Sequence, residues 1–155
     1  MSGTKNPFYL TGITLVATLG GLLFGYDTAV ISGTVSSLRV FFVDPLGLSP
    51  DLANAMEGFI VSSALIGCVI GASVAGFVSQ KFGRKPSLQL AAVLFLISAI
   101  GSAWPEMFLG MHGRGDHTFA NLFIFYRIVG GVGVGIASMV SPMYIAKVAP
   151  HTQRG

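Results

Sequence analysis

Two ionisable side chains stand where lipid is expected. Asp27 interrupts an apolar run that begins at Phe8 and continues past Val30, and Arg127 interrupts another from Phe119 to Ala146. A single charge at mid-membrane costs at least about 2.5 to 3.5 kcal/mol, so such residues face a protein interior or water and pair with one another. In a chain that crosses the bilayer four times, both fall in the outer half, and an ion pair between them is predicted. That pair admits two readings. It is a static contact that fixes helix packing, or it is a proton switch, because an adjacent arginine favours the ionised carboxylate while separation or drying favours the protonated form. Function is weighted above packing, since intramembrane ionisable groups mark pathways more often than not. Phe24, three residues before Asp27, shares its helix face and offers a ring for stacking on an apolar ligand surface.

The segment Gln80-Lys81-Phe82-Gly83-Arg84-Lys85-Pro86 is a short basic turn with a glycine inside it. Retention of positive loops in the cytoplasm explains the charges. It does not explain the glycine, and so tight a turn must hold its two flanking helices as one rigid unit. Other signals point to packing. Gly67 and Gly71 share the small-xxx-small spacing with Gly131 and Gly135, which lets helix backbones approach in lipid. The strip Gly130, Gly131, Val134 and Ser138 beside Arg127 is predicted to admit the first helix closely. A dinucleotide reading of the glycines from 130 to 135 fails, because no strand precedes them and no βαβ unit surrounds them. His112 and His117 share one loop without the further ligands that a closed metal site requires, and Cys68 has no second sulfur. No nucleophile stands with a base and an orienting group. Neither an enzyme nor a bound metal or cofactor is expected.

The elements that must position these residues follow from composition. The 155 residues are 52% hydrophobic and only 10% charged, with a mean hydropathy of +0.75, too apolar for a water-soluble domain. A net charge of +3 is spread too thinly for a nucleic-acid surface. About 20 apolar residues in helical form span the hydrocarbon core, and four such runs occur, giving helices expected near 8–38, 56–79, 86–105 and 119–147 within one unbroken domain. Placing the N-terminus inside puts Lys5, Lys81, Arg84, Lys85, Lys147 and Arg154 on the cytoplasmic side and leaves Arg39 and Arg114 outside. The fold class is therefore an all-α transmembrane bundle, N-in and C-in.

Taken together, Gly20 to Asp27, Gly76 to Arg84, Gly101 to Pro105, Tyr126-Arg127, Ser141 to Tyr144 and the closing Arg154-Gly155 resemble the sugar porter family of the major facilitator superfamily. The resemblance implies two six-helix halves that rock about a central sugar site, built from inverted repeats. It implies that Asp27 carries a proton with Arg127 as its partner, since passive relatives carry asparagine there, and that Phe24 lines a monosaccharide pocket, for a pentose such as xylose. It also implies a cytoplasmic gate in which Gly83, Arg84, Lys85 and Arg154 take part. Two residues depart from the family pattern: Gln80 stands where Asp or Asn is usual, and Lys147 where Glu is usual. Lys147 would repel Arg84 and Lys85, so a weakened outward-facing state is expected. Against the family pattern, the fifth and sixth helices and the second half are missing from these 155 residues, and the chain is expected to be a piece of a longer transporter in a cell membrane, with the remaining helices as partners. The rival reading is a small, non-transporting four-helix membrane protein that packs statically or assembles with other chains.

Overall fold

The computed structural model describes residues 7–104 and 117–148, which form four long helices: α1 (Pro7–Leu38), α2 (Pro50–Phe82), α3 (Arg84–Ala103) and α4 (His117–Val148). Segments long and apolar enough to cross a membrane run over Gly25–Leu46, Pro50–Phe82, Arg84–Ala103 and Ala120–Ala146. Backbone groups in lipid must be satisfied within the chain, and helices do this locally. The hydroxyls follow the same rule: Ser63 Oγ donates to Ile60 O at 2.8 Å and Ser73 Oγ to Val69 O at 2.8 Å.

Helix ends differ from the apolar runs where caps override hydropathy. The second helix begins at Pro50 rather than near 56, because Ser49 is extended, Pro50 takes the first helical position and Asp51 sits in the first turn, where the helix dipole favours an anion. The third ends at Ala103 rather than 105, since Trp104, next to Pro105, has already left helical geometry at φ −134°, ψ 75°. After α1 the chain continues through a π-helical segment, Arg39–Val43, and a 3-10 turn, Asp44–Leu46. These bury Phe42 and Val43 against Ala53, Ile60, Phe123 and Ile124, which ties the outer ends of α1, α2 and α4 together.

The contact registers fix the directions. A Cβ on Gly67 would crowd Gly131, and one on Gly135 would crowd Ala72 at 2.7 Å, so α2 and α4 advance together and run parallel. Gly101 lies against Tyr126 and Gly133 against Leu94, so α3 and α4 run antiparallel. Phe42 meets Phe123 with ring centroids 5.1 Å apart while Asp27 meets Arg127, so α1 and α4 also run antiparallel. Four alternating crossings satisfy all three relations. In this arrangement α4 is central, packed extensively on α2 and α3 and only lightly on α1.

The α2–α3 turn shows why a glycine is needed there. Gly83 ends α2 and precedes α3 with φ at 91°; its N–H donates to Ser79 O at 3.1 Å, and its carbonyl accepts from Ser87 N–H at 3.2 Å and Ser87 Oγ at 2.7 Å. One residue thus closes both helix ends, in a region side chains avoid. Gly83→Val is expected to destabilise the protein by about 1 to 3 kcal/mol, read as a lower melting temperature of purified protein; an unchanged melting temperature would show that the turn relaxes freely.

Candidate functional site

Arg127 and Asp27 meet between α4 and α1. One nitrogen, Arg127 Nη1, donates to both carboxylate oxygens of Asp27, at 2.7 Å to Oδ1 and 2.9 Å to Oδ2. The arginine side chain is only 9% exposed, whereas Asp27 is 33% exposed. The guanidinium is therefore held by the helix that buries it, and the carboxylate is the half of the pair open to change. Both line a cavity of about 930 Å³ bounded by all four helices, with Cys68, Ser98 and Ser102 in its wall. Within this cavity the arrangement can neutralise a buried cation in one state and hold a proton on the carboxyl in another.

The glycine strip on α4 does not admit the first helix, which corrects the expectation from sequence. Gly130 faces Ser98 on α3, while Gly131 faces Ala64 and Cys68 on α2. Gly12, Gly21, Gly25 and Gly33 on α1 have no described neighbour within 4 Å of an added Cβ. The physical reason is the reach of an arginine. A long guanidinium side chain reaches from α4 to α1, so the pair does not need small residues between those two helices, and the glycines serve the helices that pack most closely on α4.

Phe24 lies on α1, but its side chain is outside the described residues, as are Arg154 and the side chain of Lys147. His112 also lies outside them. Arg84 is half-buried, and its Nη1 donates to the carbonyl of Met143, one residue after the in-helix Pro142. It therefore cross-links the start of α3 to the inner half of α4, while Lys85 is exposed. Among the described residues, no three His, Cys, Asp or Glu side chains cluster as metal ligands.

Sequence reasoning missed the part played by Arg39, which it counted only as an outer charge. Arg39 Nη1 donates to Asn54 Oδ1 at 2.9 Å and Glu57 Oε2 at 3.0 Å, and Nε lies 3.6 Å from Asp44. This network braces the π-helical end of α1 against α2. The signal in the sequence was composition, an outer arginine close to acids, because its partners lie on a 3-10 turn and the start of α2 with no period linking them to it.

Membrane-length helices enclosing a shielded acid–base pair define an integral, multi-pass membrane protein. The chain belongs to the sugar transporter family: the family model described as "Sugar (and other) transporter" matches residues 13–155. It is 56% identical to the D-xylose-proton symporter of Escherichia coli (strain K12) over 163 residues, covering 100% of this chain and 33% of the relative. It is 35% identical to the glucose facilitated diffusion protein of Zymomonas mobilis, covering 100% of this chain and 32% of that relative. Among solved structures, a major facilitator superfamily proton:xylose symporter bound to 6-bromo-6-deoxy-D-glucose superposes with a TM-score of 0.88 at 56% identity, over 96% of this chain and 33% of that one. The described helices thus have the major facilitator fold, and the chain spans about a third of the length of these relatives.

Proposed function

We propose that this chain forms the N-terminal part of a proton-coupled monosaccharide symporter of the cell membrane, inner or plasma, with xylose as the favoured sugar. The remaining helices complete an alternating-access machine, and the protein is not an enzyme. The observation that carries this reading is the Asp27–Arg127 pair, in a chain 56% identical to a D-xylose-proton symporter.

Coupling follows from how unevenly the helices are held. α2, α3 and α4 pack as a block, whereas α1 leans lightly on α4 and is joined to it by the ion pair. Protonating Asp27 removes the anion from that joint, so α1 is the element free to respond. Phe24 lies about one turn from Asp27 on the same helix, so a sugar contact made there would move with the proton site. In the cytoplasmic turn, Gly83, Arg84 and Lys85, joined by Arg154 near the chain end, act as the inner gate.

The test uses full-length protein in lipid vesicles suspended in weakly buffered medium. Adding xylose outside should alkalinise the medium as sugar carries protons inward, with glucose tested alongside for breadth. Xylose counterflow without any pH change would identify a facilitator and overturn the coupling.

A further inference from the structure

Two buried polar atoms in the cavity wall are not used by the ion pair. Arg127 Nε and Ser102 Oγ are inaccessible and have no hydrogen-bond partner among the described residues. Arg127 has committed only Nη1 to Asp27, so its Nε–H remains a donor on a side chain that is nine-tenths buried. An unsatisfied buried donor costs about 1 to 3 kcal/mol, and a polar, roomy cavity meets that need with ordered water. The same cavity is also lined by Phe41, in the π-helical segment that follows α1, and by Trp104, just past the end of α3. In the same wall Thr34 and Ser62 add hydroxyls that donate to their own helices, Thr34 to Val30 O at 3.0 Å and Ser62 to Phe59 O at 3.4 Å, leaving their lone pairs to accept from water.

We propose that Ser102 and Arg127 Nε anchor a file of water through which Asp27 exchanges protons with the outer solvent. This rests on the symporter reading above and adds the route of the proton and a positioning residue on α3. In each step a water takes one proton and passes on another until a carboxylate oxygen of Asp27 is protonated; one proton moves in and no other group changes charge. The file's orientation is set at Ser102, because that hydroxyl both donates and accepts, whereas Arg127 only donates.

Ser102→Val and Ser102→Thr in the full-length protein provide the test, since the two side chains are similar in bulk and differ in the hydroxyl. The ratio of xylose-driven proton uptake to xylose counterflow should fall about tenfold in the Val variant, the scale set by one hydrogen bond, and recover in the Thr variant. The solvent deuterium effect on proton uptake should grow in the Val variant alone. Equal ratios for Val and Thr would overturn the water file. Failure of the reading beneath it looks different: Asp27→Asn would then retain sugar-driven proton uptake.

Discussion

Full-length protein carrying Asp27→Asn is expected to lose concentrative sugar uptake and to keep exchanging sugar across the membrane. Asparagine has nearly the shape of aspartate and retains one oxygen able to accept from Arg127 Nη1, which the native carboxylate engages through both oxygens at 2.7 and 2.9 Å. What it lacks is a carboxyl group to carry a proton. Sugar accumulation driven by a pH gradient should therefore fall to the ratio of one that passive equilibration gives, while counterflow remains measurable. Asp27→Ala should behave worse, because it leaves a guanidinium whose side chain is 9% exposed without any anion. Removing one partner of a buried pair is destabilising by about 3 to 5 kcal/mol, so this variant should also lose folded protein. A double variant, Asp27→Asn with Arg127→Gln, separates the two roles: folding should recover and coupling should not. Gradient-driven accumulation by Asp27→Asn above the equilibrium ratio would end the assignment of the proton to this carboxyl.

How far the sequence discloses this arrangement depends on whether a residue's partner is announced by a period or by an energy. Asp27 and Arg127 are legible together because lipid makes each intolerable alone, and their contact spans a hundred residues with no local signal at all. The four crossings are legible from hydropathy, yet the start of α2 at Pro50 is not, because a proline at the first helical position and an acid in the first turn extend a helix beyond its apolar part. The fixed glycine in the basic turn is legible as a requirement, and its cause, a positive φ that closes two helices at once, appears only in three dimensions. The glycine spacing on α4 shows that a helix approaches, but not which one. A small-residue strip has the same period whichever neighbour it serves, and the ion pair draws attention wrongly to α1. The Arg39 network was unreadable for a related reason, since its partners sit on a 3-10 turn and on α2, where no repeat connects them to the arginine.

The α2–α4 interface allows an expectation of nearly equal size. Gly131→Ala should already be damaging, because the clash is with the first atom any side chain adds. A Cβ at Gly131 would fall against Ala64 O, within van der Waals contact, and reach Cys68 N at 3.0 Å; these are backbone atoms of α2 that move only if the helix moves. Overpacking of this kind costs about 1 to 3 kcal/mol, and it matters more in lipid, where close backbone approach is a main source of helix association. Arg127 stands one turn before Gly131 on α4, so pushing α4 away from α2 also shifts the guanidinium relative to Asp27, and coupling should weaken together with stability. At Gly133 the added atom would meet Ala91 O at 2.8 Å and Leu94 Cβ and Phe95 N at 3.3 Å, atoms equally fixed to their helix but farther away, so a smaller shift of α3 relieves them. Melting temperatures of the two purified alanine variants should therefore fall in that order, with Gly131→Ala the lower, and Gly131→Leu should give little folded protein at all. A Gly133→Ala variant less stable than Gly131→Ala would mean that α4 is held chiefly by α3, and the parallel glycine contact would lose its place as the joint on which the pair is mounted.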